Sequence, residues 1–324
     1  MFPKKLQKGD EIRVIAPARS LQLISQETQK IALNHLTQEL GLKVTFGCHV
    51  NELDDFDSSS IQNRIDDLHE AFKDENVKGI LTVIGGFNSN QLLPYLDYDC
   101  IQKNPKILCG FSDITALATA IYTKTNLVTY SGMHFSSFGM KKNATYQIEA
   151  FKRCLFSKKS TVLQSAEFWS DDEWYLSQEE RQLNQNAGMK ILTSGYGEGI
   201  LIGGNLEVLN LLQGTEYMPS LKNCILFIED LSTPELFDCN LESLLQQKDT
   251  ATIKGLVIGR FQNQFNMTED KLVKILRNKP LLNKIPVIYQ ADFGHTTPIF
   301  TFPIGGTVRI DTRGEQADII LLEH

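Results

Sequence analysis

Short β-rich runs alternate with helical patterns through the first half of the chain, and this alternation limits the available folds more than any other feature of the sequence. The runs fall at 12–16, 43–46, 79–84 and 106–109, with segments of helical period between them. Strands separated by helices return to the same sheet through crossovers, so the pattern predicts an α/β unit, a parallel sheet covered by helices. The helix after Ser58-Ser59-Ser60 is the clearest. Its apolar residues Ile61, Ile65, Leu68 and Phe72 recur at steps of four, three and four, one face of a 3.6-residue period behind a capping cluster.

Beyond residue 142 the pattern changes. Residues 143–198 are polar and carry two tryptophans in a charged setting, Phe168-Trp169-Ser170-Asp171-Asp172-Glu173-Trp174, which reads as a linker with a long loop. A second, smaller unit is expected over 199–324, with strands at 200–202, 224–229, 255–260 and 287–289 separated by helical patterns. It closes with runs at 306–311 and 318–322 joined through Thr312-Arg313-Gly314-Glu315, a hairpin signature. Two domains, 1–142 and 199–324, suit a chain of 324 residues.

Composition excludes several classes of function. Hydrophobic residues make up 42% and charged residues 22%, ordinary globular values, and no apolar run approaches the roughly 18 residues of a membrane span. The opening Met1-Phe2-Pro3-Lys4-Lys5 lacks the apolar centre of a secretory signal, so a cytoplasmic protein is expected. A formal net charge of −7 without clustered Lys and Arg argues against a nucleic-acid polymer as partner. The six cysteines, Cys48, Cys100, Cys109, Cys154, Cys224 and Cys239, form no C-x-x-C pair and read as buried thiols rather than zinc ligands or disulfides.

The segment with most chemistry runs from Lys106 to Ala118. A buried strand ends at Gly110 and a helical pattern begins after Ser112, leaving one hydroxyl on the turn. Such a turn lifts a serine Oγ out of the carboxyl end of the sheet and sets the next backbone N–H, that of Asp113, at a helix N-terminus where it can stabilise an oxyanion. An ordinary N-cap accounts for the same serine, and the fifth position of a G-x-S-x-G elbow is filled here by Ile114. Upstream, Gly85-Gly86-Phe87-Asn88-Ser89-Asn90 follows another apolar strand. This is either a tight strand-to-helix turn or a second donor, Gly86, facing Ser112 from the neighbouring strand end.

A nucleophilic serine needs a base, and the base needs an orienting acid. Of the six histidines, His35, His49 and His69 lie in helix or strand-edge contexts, His134 in a loop after Tyr130-Ser131-Gly132, and His324 at the terminus. His295 alone sits in a loop bracketed by Gly294 and Pro298 after a strand. The apolar run Leu226-Phe227-Ile228 ends on Glu229 and Asp230, and spacing does not choose between these two acids.

Together these segments resemble the LD-carboxypeptidase family of serine peptidases, closest to its microcin C immunity branch. The resemblance rests on Gly85 to Asn90, the run Leu92 to Asp99, Gly110-Phe111-Ser112-Asp113-Ile114-Thr115, Gly203-Gly204-Asn205-Leu206, Phe227-Ile228-Glu229-Asp230 and Gly294-His295, in that order. It implies a Ser-Glu-His triad of Ser112, Glu229 and His295, and an oxyanion hole from the N–H groups of Gly86 and Asp113. It also implies substrate contacts at Gly85, Asn88 and Asn205 and at Trp169 or Trp174, where an indole would stack on a base. It implies a flavodoxin-like or Rossmann-like N-terminal α/β domain that carries the serine and a smaller, mostly β C-terminal α/β domain that carries the acid and base; family members are commonly homodimers and need no metal or organic cofactor. Two substrates are implied: an aminoacyl- or peptidyl-nucleotide amide, or a murein tetrapeptide that loses its terminal D-alanine.

An answer of another class is a non-catalytic protein holding a nucleotide or sugar phosphate in the Gly85-Gly86 loop, although the glycines do not match a G-x-G-x-x-G frame. One distance separates the two. A base acting on Ser112 requires His295 Nε2 within about 3.2 Å of the hydroxyl.

Overall fold

The computed structural model describes residues 1–324. The first unit is built on the parallel strands β1 (Glu11–Ile15), β2 (Lys43–Phe46), β3 (Val77–Thr82), β4 (Ile107–Gly110) and β5 (Thr129–Ser131), ordered 5-4-3-1-2. Helices α1 (Gln26–Asn34), α2 (Ile61–Lys73), α3 (Tyr98–Lys103) and α4 (Ile114–Thr125) alternate with them. α2 forms where its period predicts. Ser60 caps it by accepting from the Asn63 N–H, which contributes about 1 kcal/mol, and Ile65, Leu68 and Phe72 are buried against the sheet. This strand order reverses direction between β1 and β3, and ligands of doubly wound sheets gather at the carboxyl ends of the strands at such a switch.

Residues 143–198 depart from the expected linker. Helix α5 (Thr145–Leu155) buries Ile148, Phe151, Cys154 and Leu155 in a core that both units share. Strands β6 (Thr161–Val162) and β9 (Lys190–Thr193) join the edges of the second sheet, and only β7 (Phe168–Trp169) and β8 (Asn184–Gln185) stand apart, as a small ribbon. The apolar positions of α5 lie three and four residues apart between charged neighbours, so average polarity hid an amphipathic helix.

The second sheet is mixed. Its parallel centre is β10 (Tyr196–Asn205), β11 (Ile225–Glu229), β12 (Gly255–Gly259) and β13 (Val287–Ala291), with helices α6 (Leu206–Asn210), α7 (Pro234–Leu245) and α8 (Glu269–Arg277) in the connections. β10 changes partner along its length, pairing antiparallel through its first half with β15 (Thr307–Asp311) and parallel through its second half with β11. β15 and β16 (Asp318–Glu323) form the expected hairpin. Between them and β13, strand β14 (Phe302–Ile304) crosses back and pairs antiparallel with β5 of the first sheet.

That crossing places Phe302 against Phe227 of β11 and against Phe293, at ring separations of 5.2 and 5.3 Å. Buried aromatic contacts of this kind are worth about 1 kcal/mol each beyond the area they bury, and they join the two sheets beneath the cleft. Three of the six free cysteines are buried, Cys109, Cys154 and Cys224. Cys48 and Cys239 are exposed and Cys100 is half-buried, which corrects the expectation of buried thiols throughout. No helix is long and apolar enough to cross a membrane.

The register of β10 on β11 depends on close approach at Gly203, where a Cβ would stand 1.7 Å from the Phe227 carbonyl oxygen. Gly203→Ala is therefore expected to cost about 3 kcal/mol or more, by analogy with overpacked cores. Urea denaturation measures it, and an unchanged midpoint would contradict this register.

Candidate active site

Ser112 occupies the turn between β4 and α4 with φ of 60°, a left-handed conformation that a non-glycine residue adopts only when its surroundings impose it. The surroundings are specific. The buried Asp113 carboxylate accepts the N–H groups of Asn88 at 3.2 Å and Ser89 at 3.0 Å, and the Ser89 hydroxyl donates to the Asp113 carbonyl at 2.7 Å. The Gly85-Gly86 turn and the serine turn are thus pinned together. The Ser112 hydroxyl makes no capping bond to α4, which excludes the N-cap reading.

The hydroxyl instead meets His295, whose Nε2 lies 3.0 Å from Ser112 Oγ, inside the limit set for an acting base. His295 Nδ1 lies 2.8 Å from Glu229 Oε2. The other carboxylate oxygen, Oε1, accepts from Asn205 Nδ2 at 3.1 Å, while Asn205 Oδ1 caps α6 through the Val208 N–H and the Asn205 N–H donates to Thr115 Oγ1 on α4. Glu229, at the end of β11, is therefore the acid that faces the histidine. Asp230 points elsewhere and accepts the Leu231 N–H at 2.7 Å.

The cleft above these groups has a volume of about 690 Å³. Gly85 and Gly86 form part of its floor, and the backbone N–H groups of Gly86 and Asp113 have no acceptor within the protein. Trp174 and Tyr175 line the cleft. Their loop is tied to the second unit by Asp171, which accepts from Gln262 and from the Asn263 N–H, and to the first by Gln178, which donates to the Gly139 carbonyl. A two-bond bridge from Ser170 to Thr297 joins the same loop to the histidine loop.

Three expected substrate contacts lie elsewhere. Trp169 stacks against the Arg260 guanidinium at 4.8 Å, beside the buried Arg260–Asp292 ion pair, and does not line the cleft. Asn88 is buried, with its carbonyl accepting from Arg64, because the turn needs its backbone more than its side chain. Asn205 is also buried and spends its amide on Glu229.

Two further residues line the cleft, one passed over as a base in the sequence and one without any sequence signal. His134, which follows β5, is buried, stacks on Phe111 at 4.3 Å and pairs its Nδ1 with Thr82, while burial and then the nearby His295 push it down to about 3. Arg19, which follows β1, also lines the cleft. Neither sits in a turn motif, and only the sheet order brings them to the site. Cys48, Asp67 and Glu70 converge as metal ligands would, but they lie outside the cleft lining, and Asp67 is engaged by the His49 N–H.

Burial, followed by the neighbouring Glu229, raises the Asp230 carboxyl to about 6, with the Ser232 hydroxyl and the Asn240 amide pulling the other way. An acid whose folded value exceeds its unfolded value near 4 stabilises the fold below that unfolded value and loses the contribution as pH rises through about 6. Asp230→Asn is expected to raise the thermal midpoint at pH 8 relative to wild type and to leave it nearly unchanged at pH 4. Equal shifts at both pH values in a melting series would contradict this.

Comparison with known proteins agrees with this architecture. Residues 12–132 match the LD-carboxypeptidase N-terminal domain and residues 198–310 the LD-carboxypeptidase C-terminal domain. The crystal structure of an MccF-like protein from Bacillus anthracis is 53% identical, with a TM-score of 0.98 over 100% of both chains. The Microcin C7 self-immunity protein MccF of Escherichia coli is 34% identical over 87% of this chain and 85% of its own. A structure of MccF in complex with aspartyl sulfamoyl adenosine aligns with a TM-score of 0.89 at 29% identity, over 100% of this chain and 99% of that one. A Bacillus subtilis protein named "Probable murein peptide carboxypeptidase" is 30% identical over 98% of this chain and 93% of its own. With both domains matched in order and relatives aligned over nearly their full length, this chain belongs to the LD-carboxypeptidase family of peptidases.

Proposed function

We propose that the protein hydrolyses an amide link through an acyl-enzyme on Ser112, with an aminoacyl- or peptidyl-nucleotide as substrate. The observation that carries this reading is the continuous hydrogen-bonded chain from Ser112 Oγ through His295 to Glu229, at 3.0 and 2.8 Å, opening into a cleft. His295 Nε2 takes the serine proton as Oγ attacks the carbonyl carbon, and it then returns that proton to the leaving nitrogen. Glu229 holds the imidazole with Nδ1–H toward the carboxylate and stabilises the imidazolium. The N–H groups of Gly86 and Asp113 receive the charge that develops on the carbonyl oxygen, and water then releases the acyl group by the same proton path in reverse. No step calls for a metal or organic cofactor.

Trp174 supports the nucleotide substrate. Its indole is presented to the cleft, and an aromatic face holds a base by stacking at about 1 to 3 kcal/mol. The MccF structure with aspartyl sulfamoyl adenosine supports the same class of ligand. A murein tetrapeptide substrate, losing its terminal D-alanine, is favoured by the murein-peptidase relative.

Incubating the wild type with aspartyl sulfamoyl adenosine and, separately, with an L,D-tetrapeptide, with products followed by mass spectrometry, tests both readings. Hydrolysis of the sulfamate and not the peptide is expected, and Ser112→Ala is expected to abolish it. Turnover that survives Ser112→Ala would refute the nucleophile, and turnover of the peptide alone would favour the murein reading. Gly85→Ala gives a separate check, because its methyl would stand 3.1 Å from Ser112 Oγ and 3.0 Å from Ser112 Cβ. A loss of about 100-fold in kcat/KM with the fold retained is expected, and an undiminished rate would show that the hydroxyl does not need this seat.

A further inference from the structure

Trp174 and Tyr175 reach the cleft on the excursion 172–181, and an ion pair closes its base. Asp172 Oδ2 accepts from Arg181 Nε at 2.7 Å and from the Gln182 N–H at 2.8 Å, so the chain returns to the point where it left. The Arg181 side chain is only 3% exposed, and its other two nitrogens are also engaged. Nη1 donates to the Lys142 carbonyl at 2.8 Å, in the turn before α5, and Nη2 donates at 3.1 Å to Oγ1 of Thr297, in the loop that carries His295. One guanidinium therefore joins the aromatic loop, the first unit and the histidine loop. A planar fork of five donors can serve three directions at once, which the point charge of a lysine cannot.

The histidine loop depends on such a tie. No backbone N–H or carbonyl of Gly294, His295 or Thr296 hydrogen-bonds within the protein, so His295 takes its position from its own ring contacts and from the anchored ends of the loop. The first anchored residue after it is Thr297, held to Ser170 by the two-bond bridge and to Arg181 through its hydroxyl, which donates in turn to the Ser170 carbonyl at 3.4 Å. The outer ties of the aromatic loop are of another kind. Glu179 meets Lys141 and Lys142 through exposed side chains, and solvent and salt weaken such pairs.

We propose that Arg181 is a positioning residue that locks the aromatic loop and the histidine loop into one unit, setting His295 against Ser112 through Thr297 and Trp174 over the cleft through Asp172. This rests on the acyl-enzyme reading above. Its two arms have separable effects. The arm to Thr297 acts on proton transfer at Ser112 and is read in kcat, whereas the arm to Asp172 acts on substrate held under the loop and is read in KM.

The test measures kcat and KM for aspartyl sulfamoyl adenosine and, separately, the rate of inactivation by diisopropyl fluorophosphate. In that inactivation the Ser112 Oγ–P bond forms, the P–F bond breaks with loss of fluoride, and His295 takes the proton, so the aromatic loop is not used. Thr297→Val removes the hydroxyl and keeps the backbone bridge. It is expected to lower kcat and the inactivation rate by about 10-fold each, with KM within about two-fold of wild type. Arg181→Gln is expected to lower both rates to the same extent and to raise KM as well, and Arg181→Lys, which still pairs with Asp172, to restore KM more than kcat. Glu179→Gln, which loosens only the exposed pairs, is expected to leave all three values within about two-fold of wild type. Wild-type rates in Thr297→Val, a change of KM alone in Arg181→Gln, or an equal loss in Glu179→Gln would overturn the positioning role, and Thr297→Val decides by itself where Arg181→Gln does not fold. If the wild type responds to only one of the two compounds, that response judges Arg181, and a lack of turnover overturns the nucleotide substrate alone. A wild type inert to both would overturn the nucleophile, and the Arg181 assignment with it.

Discussion

A closed circuit of hydrogen bonds holds the site together and, with it, the relation between the two sheets. It runs from Ser112 to His295, to Glu229, to Asn205, and from the Asn205 N–H to Thr115, which returns to Ser112 through a backbone bond of one helical turn. Ser112 and Thr115 belong to the first unit, and the other three residues to the second. The circuit closes only when both units are folded and docked, so the chemistry depends on the docking. The aromatic cluster of Phe227, Phe293 and Phe302 lies beneath it and supplies the apolar contact that the polar circuit cannot.

The same geometry explains why the groups meet where they do. In both sheets the parallel strands deliver these residues at their carboxyl ends: Arg19 after β1, Gly85 after β3 and Ser112 after β4 in one, and Asn205 ending β10, Glu229 ending β11 and His295 after β13 in the other. The cleft lies where these ends face each other. The strained turn at Ser112 persists because Asp113 ties it to the neighbouring turn, so the serine side chain is left free for the histidine.

The parts of the site carried by local pattern were legible in the sequence. Strand-turn-helix punctuation marked Ser112 and Gly85-Gly86, and a loop bracketed by glycine and proline marked His295. Residues whose role depends on a distant partner were not legible. Asn88 and Asn205 look like substrate-binding amides beside glycines, yet both are buried by contacts with Arg64 and Glu229, far away in the chain. Trp169 and Trp174 share one charged segment, and only the buried Arg260–Asp292 pair draws one of them away from the cleft.

The sequence by itself determined the layered α/β architecture of the first unit, the closing hairpin and the turn that presents the serine, because periodicity, capping and glycine placement act within a few residues. Tertiary structure decided which acid faces the histidine, which indole faces the cleft, and that residues 143–198 fold into the two units rather than linking them. It also decided that Arg19 and His134 line the cleft. These outcomes depend on strand order and on packing between segments far apart in the chain, and hydrophobic period carries no record of either.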